Sequence, residues 1–226
     1  MTILAIDTSS EICSTAILKD NNVVDINDLN DGRTHSENLL SLMEEILDRN
    51  NVKLNDLDMV ACSVGPGSFT GIRIGVSSIK AIAEVLDIPI AGVNSLETLA
   101  RNVSVEEKAT IVSMIDAKND QIYGGVFDET YNQKDPLCAD NIDEFLEKIS
   151  YIPGKIIFVG SGAVKFKDKI LAIHEDAIFE ENNMQSAAKV GLMGYKKYQE
   201  GTLDTADSIK PLYLRKSQAE RMKLEK

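Results

Sequence analysis

The chain opens on an apolar run, residues 2–7 (TILAID), that closes on an acid. A polar turn at 8–11 leads into a second apolar run, 12–18, and the Asp20-Asn21-Asn22 turn opens a third, 23–26. Short apolar runs divided by turn residues predict a hairpin meander of strands. Helix, strand, helix and strand patterns follow to about Gly92, then a short helix from Ser95 to about Asn102. Near residue 109 the opening recurs. Residues 111–116 (IVSMID) again close on aspartate, 117–120 turn, and 122–127 form a strand. Setting Ile6-Asp7 against Ile115-Asp116 brings both turns and both following strands into register. Such self-similarity predicts an α/β chain of two lobes on one plan, 1–105 and 106–226, divided in the charged stretch 103–108. The second lobe continues with a helix at 141–150, a strand at 155–159, a Gly160-Ser161-Gly162 strand-to-helix turn and further helices. Residues 211–215 (PLYLR) read as a strand or crossing segment with Arg215 in a salt bridge. Residues 218–226 read as a charged end that frays or extends a helix.

Two helices stand out in the first lobe. Thr34 and Glu37 have capping-box spacing, and Leu39, Leu42, Met43, Ile46 and Leu47 then recur at helical spacing, with Leu40 widening the stripe. The second helix follows a glycine-rich loop, 65–75 (GPGSFTGIRIG). No Gly-Lys-Ser/Thr follows and the GxGxxG spacing is absent, so the loop is neither a Walker A nor a dinucleotide loop. Ile72, Val76, Ile79, Ala83 and Leu86 line one face of that helix. Gly71, Gly75 and Ser78 form a small-residue ridge beside it, with Ile74, Ala81 and Val85 elsewhere. Each mid-helix glycine costs about 1 kcal/mol relative to alanine, tolerable where another backbone comes very close. Two readings follow: the helices cover one another within the lobe, or their excess apolar surface receives a partner protein. On the partner reading, a bulky residue at Gly75 blocks assembly and leaves the fold intact.

Composition narrows the function. The 226 residues are 43% hydrophobic and 27% charged, with a net charge of −12 and a sequence pI near 4.7. A free-standing nucleic-acid binder needs a basic surface, so any role near RNA calls for a second protein to supply cations. No apolar run approaches the ~20 residues that cross a bilayer, the N-terminus lacks a basic flank, and the expected location is the cytoplasm. The three cysteines, Cys13, Cys62 and Cys138, lack CxxC pairing, and Cys13 and Cys62 lie in apolar runs, as buried free thiols do. His35, without a nearby acid or second histidine, reads as a capping or contact residue, and His174 as a solvated loop residue.

Asp7-Thr8-Ser9 at the end of the first strand has the makings of a phosphate-cradling turn, with Asp116 as the second half of a clamp. The other reading is a strand end capped by turn-forming residues. Gly160-Ser161-Gly162 reads as a strand-to-helix turn ahead of an adenine contact.

Residues 3–9 (ILAIDTS), 33–40 (RTHSENLL), 65–75 (GPGSFTGIRIG), 95–100 (SLETLA), Asp116-Ala117-Lys118 and 211–215 (PLYLR) together resemble the TsaB (YeaZ) family in order and spacing, across nearly the whole chain. The RxHSE helix followed by GPGSFTGIRIG is the specific part. The resemblance implies the two-lobed fold of the actin, Hsp70 and sugar-kinase group. It implies a non-catalytic subunit that binds TsaD, the catalytic paralogue, and the ATPase TsaE, in making threonylcarbamoyladenosine in tRNA. The interface it implies comprises His35, Leu39, Leu42, Met43 and Ile46 of the first helix, with Ser68, Phe69, Gly71, Ile72, Gly75, Val76 and Ile79 of the loop and second helix. Asp7, Thr8, Ser9 and Asp116 become vestigial phosphate turns. The paralogue's His-x-x-x-His metal pair falls on Ser95 and Leu99, and the chain has two histidines in all, so no catalytic metal is expected. No intrinsic cofactor is implied, and nucleotide enters only at an interface of the complex. Contact with tRNA is through the complex, and a homodimer on the same helices is the alternative when TsaD is absent. The remaining readings are an actin-fold ATPase or small-molecule kinase using Asp7 and Asp116, and the glycoprotease-like peptidase of an older family label. No Ser-His-Asp, Cys-His or HExxH set supports the latter.

Overall fold

The structure is a computed structural model that describes residues 1–105 and 108–215. The chain divides into two units, Met1–Thr98 with Met184–Pro211, and Leu99–Asn183 with the chain from Leu212.

The first unit is built on a sheet of β1 (Thr2–Asp7), β2 (Cys13–Lys19), β3 (Asn22–Leu29), β4 (Met59–Gly65) and β5 (Ile90–Asn94) in the order β3-β2-β1-β4-β5. β1 runs antiparallel to β2 and parallel to β4, with Ile6 opposite both Thr15 and Cys62. β1 is buried at every position, the continuous apolar run of a strand covered on both faces. On one face lie α1 (His35–Arg49) and α2 (Phe69–Leu86), which close a core of Leu4, Ile6, Ile17, Leu39, Ile46, Ile72 and Ile79. α3 (Ser95–Ala100) follows β5.

The second sheet repeats the plan. Its strands β6 (Thr110–Asp116), β7 (Gln121–Phe127), β8 (Cys138–Asn141), β9 (Ile156–Val159) and β10 (Ile178–Phe179) lie in the order β10-β9-β6-β7-β8. The β6–β7 and β7–β8 pairs are antiparallel, and β6–β9 and β9–β10 are parallel. Each strand therefore has a counterpart in the first sheet, and Asp7 and Asp116 each end the central one. α4 (Ile142–Ile149), α5 (Ser161–Lys165) and α6 (Lys167–Leu171) accompany this sheet, with Phe145, Leu146, Phe158 and Ile170 in the core.

A continuous second lobe over 106–226 is the expectation from sequence. The chain instead returns: α7 (Ala187–Glu200) packs on the first sheet through Ala187, Ala188, Val190 and Met193, against Ile3, Ala5, Leu18, Met59 and Val93. The physical reason is the apolar second face of that sheet, which needs its own cover. Small residues set the close approach, because a Cβ on Gly194 would stand 3.0 Å from that of Ala61. His174 also departs from expectation. It is half-buried, with Nε2 at 3.2 Å from the Ile149 carbonyl oxygen and its ring 6.1 Å from that of Phe158. Residues 211–215 take no regular structure, and 218–226 lie outside the described residues.

Candidate functional site

The first candidate is the turn that follows β1. Asp7 is 1% exposed, and its Oδ1 accepts from the Ser9 N–H at 2.8 Å and the Ser9 hydroxyl at 2.7 Å. The Thr8 hydroxyl donates to the Gly71 carbonyl oxygen at 2.8 Å, and the Ser68 N–H donates to the Ser9 carbonyl oxygen at 2.8 Å. From α1, His35 sets Nε2 at 2.8 Å from the Ser10 carbonyl oxygen. A Cβ on Gly67 would overlap the Ser9 carbonyl oxygen, one on Gly71 the Thr8 carbonyl oxygen, and one on Gly75 the Thr8 hydroxyl. Glycines four residues apart thus form a stripe on the loop and α2 that admits the turn. The groups with which this turn would hold a phosphate, the Ser9 N–H and the hydroxyls of Thr8 and Ser9, are committed to the chain's own atoms. Burial raises the Asp7 carboxyl to about 6, opposed by the Ser9 hydrogen bonds and the nearby His35.

The glycine ridge is therefore spent inside the chain, correcting the expectation that Gly71 and Gly75 clear space for a partner helix. The apolar residues named with them are spent likewise. Leu39, Leu42, Met43, Ile46, Ile72, Val76 and Ile79 are all buried in the first unit's own core. These positions recur on the side of each helix turned to the sheet, and the sheet consumes that side first. Of the anticipated interface, Ser68 is exposed and His35 and Phe69 are half-buried. The apolar groups left outside are not among the anticipated interface residues: Leu40, 63% exposed, and Val85, 82% exposed, while Ile74, Ile82 and Leu86 are half-buried against the edge of the core. Their signal in the sequence was the width of the two stripes. α1 begins as its capping box predicts, with Glu37 accepting from the Thr34 N–H at 3.0 Å and the Thr34 hydroxyl at 2.7 Å.

In the second unit, Asp116 gathers groups that lie far apart in sequence. Its Oδ1 accepts from the Lys118 N–H at 3.0 Å and the Lys165 ammonium at 2.8 Å, and its own N–H donates to the Ser161 hydroxyl at 3.1 Å. Gly160, at φ +107, turns the chain from β9 into α5, a strand-to-helix turn as expected. Lys165 was not singled out by the sequence; the repeat of the β1 turn at β6 was the signal that this strand end mattered.

The positions corresponding to a metal pair are filled by other chemistry. The Ser95 hydroxyl lies 2.6 Å from that of Ser63, both fully buried, and Leu99 is fully buried. Asn94 Oδ1 caps α3, accepting from the Leu96 and Glu97 N–H groups at 2.8 and 3.3 Å. Among the described residues no three His, Cys, Asp or Glu side chains gather as a metal site. A serine pair and a leucine do not fit a transition metal. A cavity of about 400 Å³ lies in the first unit among Val64, Val93, Asn94, Met193, Lys196 and Lys197. Its cations are already engaged: Lys197 donates to the Gly92 carbonyl oxygen at 2.9 Å, and Lys196 pairs with Glu200 at 3.6 Å.

Residues 30–223 match the family described as TsaD, tRNA N6-adenosine threonylcarbamoyltransferase. The chain is 30% identical over 232 residues to the tRNA threonylcarbamoyladenosine biosynthesis protein TsaB of Bacillus subtilis, covering 97% of this chain and 96% of that one. It is 36% identical over 124 residues to TsaB of Haemophilus influenzae, covering 54% of this chain and 52% of that protein. Among solved structures, an uncharacterized Pseudomonas aeruginosa protein with similarity to peptidase YeaZ superposes with a TM-score of 0.80 at 25% identity, covering 95% and 99% of the two chains. A ROK hexokinase from Thermus thermophilus superposes at 0.54 with 11% identity, over 89% of this chain and 100% of that one; this likeness shows the actin-like fold alone. On the sequence match along its whole length, the chain belongs to the TsaB (YeaZ) family.

Proposed function

We propose that this chain is a non-catalytic subunit of the machinery that makes threonylcarbamoyladenosine in tRNA, and that it supports TsaD together with TsaE. The observation that carries this reading is the closure of the β1 turn. The hydroxyls and the Ser9 N–H that a nucleotide-using relative would turn toward phosphate are bonded to Gly71 and Asp7. Ser95 and Leu99 add to it, since neither supplies a metal ligand of the kind the transferase needs. The histidines speak against a peptidase, because each ring meets a backbone carbonyl oxygen, that of Ser10 for His35 and that of Ile149 for His174.

The partner face on this reading is the outer side of α1 and α2, where Leu40 of α1 and Val85 of α2 stand exposed and Ile74 and Ile82 of α2 are half-buried. A homodimer would use the same face when TsaD is absent. With a net charge of −12, the chain leaves tRNA contact to its partner. Nucleotide belongs at an interface of the complex and not to this chain alone, and the expected location is the cytoplasm.

The test is reconstitution with the cognate TsaD and TsaE, the threonylcarbamoyl donor and tRNA. Modification is expected only when this chain is present, with no ATP hydrolysis and no salt-sensitive tRNA binding by the chain alone. Full modification without it, or ATP turnover by it, would overturn the reading.

A further inference from the structure

Each edge of the first sheet ends on a peptide group held by a carboxylate and a cation. At the β5 edge, Ile90 exchanges both backbone hydrogen bonds with Asp204, at 3.0 and 2.7 Å. Next to it the Gly92 N–H donates to the Asp204 carboxylate at 3.1 Å, and the Lys197 ammonium donates to the Gly92 carbonyl oxygen at 2.9 Å. At the β3 edge no further strand arrives among the described residues.

The register fixes which groups of β3 face outward. The Asp20 N–H donates to the Met1 carbonyl oxygen, and peptide groups alternate in direction along a strand. Leu18, Ala16 and Ser14 therefore turn theirs toward β1, and the residues between them turn theirs toward β3. Ile26, opposite Ala16, and Asp28, opposite Ser14, point their N–H and C=O away from β2. An open edge of this kind is a template for another strand. Apolar side chains accompany it, with Val23, Val24 and Ile26 all exposed.

The outward groups of Ile26 are nevertheless occupied. Its N–H donates to Asp25 Oδ1 at 2.9 Å, and its carbonyl oxygen accepts from the Arg49 guanidinium at 3.3 Å. Arg49 Nε donates in turn to Asp25 Oδ2 at 2.7 Å, as does the Asn50 side-chain amide at 2.7 Å. This is the arrangement that Asp204 and Lys197 make on Gly92. The Arg49 side chain is half-exposed, and an ion pair so open to solvent contributes little to stability. Its place on the peptide group of an edge strand gives it another use.

We propose that Asp25 and Arg49 form a clamp that shuts the β3 edge against a second copy of this chain. The strand itself suits that occupant. Two β3 strands related by a two-fold axis at Asn27 run antiparallel, each copy's Ile26 opposite the other's Asp28 and each Asp25 opposite a Leu29. The outward groups of Ile26 and Asp28 then meet, and no two acids stand opposite one another. With the clamp in place, the Asp25 carboxylate and the Arg49 guanidinium fill the positions of the incoming strand's acceptor and donor. Asp204 already closes the β5 edge, so pairing ends at two copies.

Sedimentation velocity on the full chain tests this, with Leu40→Glu in every sample to silence association through the outer side of α1 and α2. Asp25→Ala/Arg49→Ala should pair about tenfold more tightly than the chain with its clamp intact, stopping at two copies. Adding Ile26→Pro, which removes the outward N–H and leaves the bonds to β2 in place, should return association to the clamped level. Equal association with and without the clamp, or pairing that survives Ile26→Pro, would overturn the proposal. Should Ile26→Pro fail to fold, amide exchange on Asp25→Ala/Arg49→Ala decides. Protection of the Ile26 and Asp28 amides should rise about tenfold as protein concentration is raised through the pairing transition; protection independent of concentration overturns the clamp.

Discussion

The Thr8 hydroxyl donates to the carbonyl oxygen of Gly71 at 2.8 Å, joining positions 63 residues apart. One turn further along α2, Gly75 faces the same hydroxyl, so that a Cβ there would overlap it. Gly75→Ala should therefore destabilise the chain by ~1–3 kcal/mol through overpacking. Thr8→Ala alone should cost ~1 kcal/mol for the lost bond. In the double variant the overlap is gone, and denaturant titration should recover a coupling of ~0.5–3 kcal/mol. Strict additivity would place the origin of the glycine elsewhere.

Leu39 and Leu40 are neighbours with opposite fates, 1% and 63% exposed. Leu39→Ala should cost ~2–5 kcal/mol, and Leu40→Ala should stay within ~0.5 kcal/mol of wild type. Leu40→Glu and Val85→Glu should melt normally and lose affinity for TsaD in calorimetry by tenfold or more. Normal affinity in both would remove the outer side of α1 and α2 from the partner face.

Thiol chemistry should separate the folded from the unfolded chain. Cys13 is pushed up to about 11 and Cys138 to about 12, in both cases mainly by burial, and the deeply buried Cys62 is pushed up further for the same reason. At pH 8 an aromatic disulfide reagent should label none of them within minutes, because the thiolate is the nucleophile. In denaturant all three cysteines should react. Rapid labelling of Cys13 in the native chain would show that the core around the β1 turn opens readily.

The return of α7 makes a fourth test. A fragment ending at residue 105 leaves Ile3, Leu18, Met59 and Val93 without the cover of Val190 and Met193. It should be insoluble or lack fixed side-chain packing by NMR, since an exposed apolar sheet face promotes association. A well-dispersed spectrum from that fragment would make α7 dispensable to the first unit.

Local signals settled a good deal of this molecule before any packing was considered. Short apolar runs closed by turn residues located β1, β2, β6 and β7, the Thr34–Glu37 spacing located the start of α1, and the recurrence of Ile-Asp at Asp7 and Asp116 disclosed a duplicated plan. All of these are properties of residues near one another in the chain, where backbone sterics and hydrogen bonding act directly. The motif pattern carried the family in the same way. What occupies the glycine ridge was not legible, because two surfaces compete for Gly71 and Gly75 and nothing local says which arrives first. The tertiary structure decides it: the β1 turn, tethered a few residues from the sheet that α2 already covers, reaches the ridge within the chain. It likewise decides that Leu39 is core and Leu40 surface, and that α7 belongs to the first unit. Those outcomes depend on which apolar faces are still uncovered once the sheets have formed, a sum over the whole fold that no single segment contains.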